Sequence, residues 1–240
     1  MKFYHSGDLG DIIAALPVIR QLGGGRLVIG SKGKTNTRES MAGARYEVIR
    51  PLLEAQPYIE SVEYDDAPNG ITHDFSEFRA MDEVVCENLA QWQGRVFGIT
   101  NLDLFPWLYL DRKPEKTGTT IFARSARYHN SEFPWKELYE QHRENAYFVG
   151  GLMEWQAFQE SVGRVCYANT KDLLHAAQTI SGASLFVGNQ SCPCWLAMGL
   201  GVPVIQEVWM DHPNSIVVRD NARFIFRRNQ IISTDVKQSV

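Results

Sequence analysis

The sequence predicts an α/β protein of two Rossmann-like halves, each a parallel sheet flanked by helices, facing each other across a cleft. Three observations predict it. A strand, a helix and a second strand follow one another in residues 2–29, and such a start requires a parallel sheet. Residues 169–208 read helix, strand, turn, helix, strand by their apolar spacing. Between them a charged segment with Pro and Gly, Arg112–Gly118, precedes a fresh strand at Thr119–Arg124 and reads as a linker. The two halves are accordingly placed at 1–115 and 116–240.

In order, Lys2–His5 is the first strand, Asp11–Leu22 the first helix, Gly23–Gly25 its stop, and Arg26–Ile29 the second strand. Lys32–Arg45 is polar and reads as a loop. Tyr46–Ala55 is helical, with Pro51 either kinking it or opening a new first turn. SVEY at 61–64 is a strand and Asp74–Phe78 another strand end; Met81–Gln91 has helical character. In the second half, Trp135–Glu144 and Glu154–Val162 are helices, and Ala146–Val149 and Arg164–Tyr167 strands. Thr170-Lys171-Asp172 opens a helix with apolar Leu173, Leu174, Ala177 and Ile180. Ala183–Val187 is a strand fit for burial, Trp195–Leu200 a helix, and Val202–Val208 the next strand. The aromatic run Phe105–Tyr109 reads as packing between the halves, or else as part of a binding surface.

With 44% apolar and 22% charged residues, the chain can bury a core in each half. A net charge of −4 gives no global basic field, which argues against wholesale binding to nucleic acid or anionic membranes. No apolar run is long enough to span a bilayer, and Met1-Lys2 leads straight into a strand with no signal peptide. Cys86, Cys166, Cys192 and Cys194 lack paired CxxC spacing, so neither a zinc site nor a disulfide framework is expected. The expectation is a reduced, cytoplasmic protein.

Two stretches carry chemistry. The first is the Gly-rich turn after strand one, SGDLGD, with Asp8 and Asp11 at the carboxyl end of the strand, where open sheets place ligands. Either carboxylate can accept a proton; either can also simply favour a helix start. Gly7 and Gly10 lack the third glycine of a dinucleotide fingerprint. The second is Gly188–Pro193, a turn onto a helix with Ser191 as N-cap and Pro193 in the first turn. Free N–H groups and the positive helix end make it an anion site. Arg124 and Arg127 follow the first strand of the second half and suit bidentate phosphate contacts.

Together the two stretches resemble family 9 glycosyltransferases, the ADP-heptose:lipopolysaccharide heptosyltransferases and their relatives. The GD[VIL]…LP pattern is Gly10-Asp11-Ile12 with Leu16-Pro17 here; the late [VI]GN(D)SGP.HLA.ALG.P pattern is met at Val187–Pro203. The resemblance covers the first ~20 residues and ~169–208 well and the middle poorly. It implies the GT-B fold and a metal-independent, inverting transfer of sugar from a nucleotide-diphosphate donor, with no other cofactor. It implies Asp11 as the base that activates the acceptor hydroxyl, Asp8 as a second candidate, and His5, Ser6 and Gly10 on the acceptor side. Arg124, Arg127, Asn189, Gln190, Ser191, Cys192, Gln206 and Glu207 are expected at the donor, with Lys171 and Glu154 weaker candidates. The chain departs from the pattern where Gln190 replaces an Asp, Cys192 a Gly and Trp195 a His. Those departures leave the donor sugar open and raise a rival reading, a binding module of the same fold that has lost turnover. A third reading is an epimerase acting on nucleotide sugars. The acceptor stays open among a glycan, a small molecule and a modified DNA base, as does the oligomeric state.

Overall fold

The computed structural model describes residues 1–31, 42–81, 87–111 and 118–227. The expected linker therefore lies outside the described residues except Gly118, as does most of the expected 32–45 loop. The first sheet comprises β1 (Lys2–His5), β2 (Gly25–Ile29), β3 (Ile59–Tyr64) and β4 (His73–Asp74), in the order β3-β2-β1-β4. The second comprises β5 (Thr120–Ala123), β6 (Ala146–Phe148), β7 (Cys166–Tyr167), β8 (Leu185–Asn189), β9 (Val204–Glu207) and β10 (Ala222–Ile225), in the order β10-β9-β8-β5-β6-β7. All the pairings are parallel. Both sheets reverse direction beside their own first strand. In such sheets the crevice at the reversal, outside the carboxyl ends, is where ligands sit.

Helices α1 (Leu9–Gln21), α2 (Ala42–Glu54) and α3 (Leu89–Arg95) belong to the first half. The second half has α4 (Trp135–His142), α5 (Leu152–Ser161), α6 (Leu173–Ser181) and α7 (Cys192–Gly199). α1 starts two residues before its expected position, and Pro51 sits inside α2 rather than breaking it. The expected strand end at Asp74–Phe78 is a two-residue strand followed by a 3-10 helix, Phe75–Ala80. The Asp74 carboxylate turns the chain there by accepting the Ser76 N–H at 2.8 Å. The helix expected over Met81–Gln91 is found only from Leu89; Asn88 caps it, and residues 82–86 lie outside the described set. Strand β10 was not anticipated.

One hydrophobic core runs through both halves, and a second lies within the second half. α1 is buried without a break from Ile12 to Ile19, because it packs on α3 and on α7. Fully burying each such aliphatic side chain contributes about 1.5–3 kcal/mol. The aromatic run does join the halves: Trp107 is fully buried against Trp195, with ring centroids 6.2 Å apart. The Trp107 and Leu108 N–H groups both donate to the Gly199 carbonyl at 3.0 Å. A Cβ on Gly199 would lie 2.7 Å from Leu108 Cδ1, so only glycine permits this approach. Arg219 holds the end of α7 by donating to the Met198 and Val202 carbonyls at 2.6 and 2.7 Å. Burial pushes its pKa down to about 10.

Candidate active site

A cavity of about 960 Å³ lies between the two sets of carboxyl ends. The turns at Asp8–Asp11, Arg124–Tyr128 and Gln190–Pro193 all line it, along with Arg45 and Arg79. The two stretches singled out in the sequence are therefore neighbours. Their floor is close-packed, since a Cβ on Gly10 would come within 3.4 Å of Trp195 Cδ1 and 3.8 Å of the Cys192 N.

On the first-half side, the tight turn after β1 is held by His5. His5 is fully buried; its Nδ1 accepts the Gly7 N–H at 2.7 Å and its Nε2 contacts Gln93 Oε1 at 3.1 Å. Gly7 has no room for a side chain: a Cβ would sit 2.3 Å from His5 Cε1 and 2.6 Å from Asp11 Cβ. The expectation that His5 and Ser6 line the acceptor side is thus corrected, because both are buried in the turn's foundation. Ser6 Oγ contacts Ser76 Oγ at 2.8 Å. Asp8 occupies the N-cap of α1, and its N–H donates to Asp11 Oδ2 at 3.1 Å. Arg79 also donates to Asp11 Oδ2 at 3.1 Å, and Arg45 donates to Asp8 Oδ1 at 2.6 Å. Both carboxylates are thereby oriented by guanidinium groups on their own half. Sequence reasoning missed these two arginines. A signal for Arg79 existed in its place shortly after a strand end; Arg45 sits in a stretch read as loop.

On the second-half side, α7 begins at Cys192, with Ser191 at the N-cap. The Ser191 hydroxyl turns away and donates to the Asn189 carbonyl at 3.1 Å, so it does not cap the helix as expected. The N–H groups of Cys192 and Cys194 lie in the first turn, where they have no intrahelical acceptor, and Pro193 has none to offer. Burial, with the Glu154 charge in second place, pushes the Cys192 thiol up to about 12. That site is built for a neutral thiol and free backbone donors. Asp8 and Arg127 meet across the cavity at 4.0 Å.

Three expected donor contacts turn out to be scaffold, and a fourth, Gln190, lines the cavity with its amide held by a loop. Glu207 is fully buried and accepts from Arg124 Nε and Nη2 at 3.3 Å each, Asn130 N–H at 2.6 Å and Trp135 Nε1 at 3.0 Å. It holds Arg124, which also lies over the Trp135 ring at 5.2 Å. Gln206, fully buried, donates to Ser215 Oγ. Asn189 accepts the Ser125 N–H at 2.9 Å and donates to the carbonyls of Ser125 and Arg127, at 3.3 and 2.6 Å. Gln190 donates to the His212 carbonyl at 2.8 Å and accepts the Trp209 N–H at 2.5 Å. These amides and the carboxylate lie at the ends of buried central strands, so the loops above them are their nearest polar partners and burial demands the pairing. Trp195 packs in the core at 4% exposure while its edge reaches the cavity. Glu154 and Lys171 line the cavity; the Glu154 carboxylate accepts the Gly151 N–H at 2.8 Å. Among the described residues no helix is long and apolar enough to cross a membrane.

This is the GT-B architecture of the family 9, heptosyltransferase-like glycosyltransferases. Among solved structures, the chain is similar to E. coli ADP-heptose lps heptosyltransferase II, with a TM-score of 0.60 and 14% identity over 93% of this chain and 89% of that one. E. coli heptosyltransferase WaaC with ADP-2-deoxy-2-fluoro heptose gives 0.59 and 10% identity, over 93% and 92%. The family 9 glycosyl transferase of Veillonella parvula DSM 2008 gives 0.58 and 13%, over 93% and 84%. No family model matches the sequence, and no curated protein does. At these identities the likeness establishes the fold.

Proposed function

We propose that the protein is a glycosyltransferase that moves a sugar from a nucleotide-diphosphate donor to an acceptor hydroxyl, with inversion and without a metal. One observation carries the reading: the carboxylates of one half and the open helix end and arginines of the other line a single cavity. E. coli heptosyltransferase WaaC, which shares the fold, has solved structures with ADP and with ADP-2-deoxy-2-fluoro heptose. In the proposed reaction the diphosphate rests on the N–H groups of Cys192 and Cys194, with Arg127 and Arg124 beside it. Asp11 takes the proton of the acceptor hydroxyl as that oxygen bonds the anomeric carbon. The bond from that carbon to the diphosphate oxygen breaks, its electron pair stays on that oxygen, and the nucleoside diphosphate leaves. The helix end and the guanidinium groups stabilise the charge that develops there, which is why we assign no metal.

The test is release of nucleoside diphosphate from a panel of UDP-, GDP- and ADP-sugars offered with glycan, small-molecule and DNA acceptors, with and without chelator. Asp11→Asn is expected to lose roughly a hundredfold or more in kcat while binding nucleotide as before. Asp8→Asn in parallel decides between the two carboxylates. The rival, a binding module that has lost turnover, is favoured by one observation: Gln190 stands where the family pattern has Asp, and both ends of its amide are committed to a loop. Tight nucleotide binding with no sugar released to any acceptor establishes that rival and overturns the transferase. Turnover of nucleotide sugar with no acceptor present and no nucleotide released points instead to an epimerase.

A further inference from the structure

Asn189 and Gln190 are consecutive, buried at the end of β8, and each ties down a different loop. The Asn189 loop ends in Tyr128, whose backbone has φ 61°. That left-handed conformation is rare for a bulky side chain and persists only where the surroundings enforce it. The Gln190 loop begins with Trp209. The two rings meet, with centroids 5.0 Å apart and planes at 36°. Tyr128 lines the cavity, and the Arg127 guanidinium lies 5.1 Å over its ring. Two buried amides and one forced backbone conformation thus hold the Tyr128 ring at the cavity, with the Trp209 ring packed against it from outside the lining.

The strand order says what reaches it. At the carboxyl ends, α7 follows β8, the Gly150–Glu154 and Thr170–Leu173 linings follow β6 and β7 on one side, and Trp209 follows β9 on the other. A donor with its diphosphate on α7 has space for its nucleoside along the β6 and β7 side. Its sugar then projects the other way, between Asp11 and Tyr128. The Gln190 amide is held at both ends by the Trp209–His212 loop, and the Tyr128 and Trp209 rings touch each other without forming a slot for a flat base. A one-sided aromatic face with its negative quadrupole fits the polarised C–H face of a saturated ring.

We infer that Tyr128, backed by Trp209, forms the platform for the transferred sugar and selects a neutral pyranose with an apolar face over an anionic one. This rests on the transferase reading and adds to it the residues that choose the donor sugar. The experiment compares binding of UDP, GDP and ADP with that of UDP-glucose, GDP-mannose, ADP-glucose and UDP-glucuronic acid, by calorimetry, for wild type, Tyr128→Phe, Tyr128→Asn and Trp209→Ala. Asparagine accepts the left-handed backbone, so that variant removes the ring without new strain. For the nucleotide that binds, wild type and Tyr128→Phe are expected to hold the neutral sugar form roughly two- to tenfold more tightly than the bare diphosphate. Tyr128→Asn and Trp209→Ala are expected to lose that increment and keep their affinity for the diphosphate. An unchanged increment in both variants, or a preference for the glucuronic acid form, overturns the platform and leaves the transferase reading standing. If no nucleotide binds wild type at all, both fail.

Discussion

Glu207→Gln is the sharpest probe of how the site is held. Each Glu207 oxygen serves two donors: Oε1 takes Arg124 Nη2 and the Asn130 N–H, and Oε2 takes Arg124 Nε and Trp135 Nε1. A glutamine in the same place must therefore turn its NH₂ toward two N–H groups in either orientation. It also leaves the Arg124 cation without its counter-charge in a site where the carboxylate is fully buried and Arg124 only 19% exposed. Breaking a buried pair by removing one partner costs 3–5 kcal/mol. The 3.3 Å contacts to Arg124 are long, so the low end, about 3 kcal/mol, is expected. For a chain of this size that is a fall in Tm of roughly 6–12 °C. Urea and thermal unfolding measure it. The double variant Glu207→Gln with Arg124→Gln should recover roughly 1 kcal/mol, because the stranded cation is gone. A loss under about 1 kcal/mol, or a double variant no better than the single, refutes the claim that Glu207 is the anchor of Arg124.

Gly199→Ala forces a Cβ to 2.7 Å from Leu108 Cδ1 and 2.9 Å from Trp107 Cε2; a loss of about 1–3 kcal/mol is expected in denaturant unfolding. Arg127→Gln should weaken nucleoside diphosphate binding roughly tenfold or more, and added salt should shrink the gap to wild type, as read by calorimetry at two ionic strengths. Burial pushes the Cys194 thiol, like that of Cys192, up to about 12. A thiol raised in the folded state contributes stability below its unfolded pKa and loses it as the pH climbs from there toward 12. The urea midpoint should therefore fall from pH 8 to pH 10.5, and less so in the Cys192→Ala, Cys194→Ala variant. In a Cys86→Ser background, exposed Cys166 should react with a thiol reagent well before buried Cys194.

The sequence declared its local geometry better than its side-chain partnerships. The βαβ start, the turn at Gly7–Asp11 and the strand–turn–helix at Leu185–Gly199 follow from apolar runs interrupted by glycine, serine and proline, all local signals. These place Asp8, Asp11, Arg124, Arg127 and the α7 N-terminus correctly around one cavity. What failed was the assumption that a polar residue at a strand end faces a ligand. His5, Asn189, Gln206 and Glu207 are such residues, and their partners, among them Gln93, Ser125 and Trp135, lie up to 88 positions away. Pairings at that distance have no periodicity to announce them. β10 was missed for a related reason: it is a four-residue edge strand, ARFI, in which only Ile225 is buried, too short for an apolar period to show.

The claim that everything else rests on is the diphosphate at the start of α7. A crystal structure of the complex with the nucleoside diphosphate that binds most tightly tests it directly. The expected result puts phosphate oxygens within hydrogen-bond reach of the Cys192 and Cys194 N–H groups, the Arg127 guanidinium alongside, and the Asp11 carboxylate facing the vacant sugar position. A nucleotide bound elsewhere on the molecule, or in this cavity with its phosphates pointing away from α7, contradicts the account.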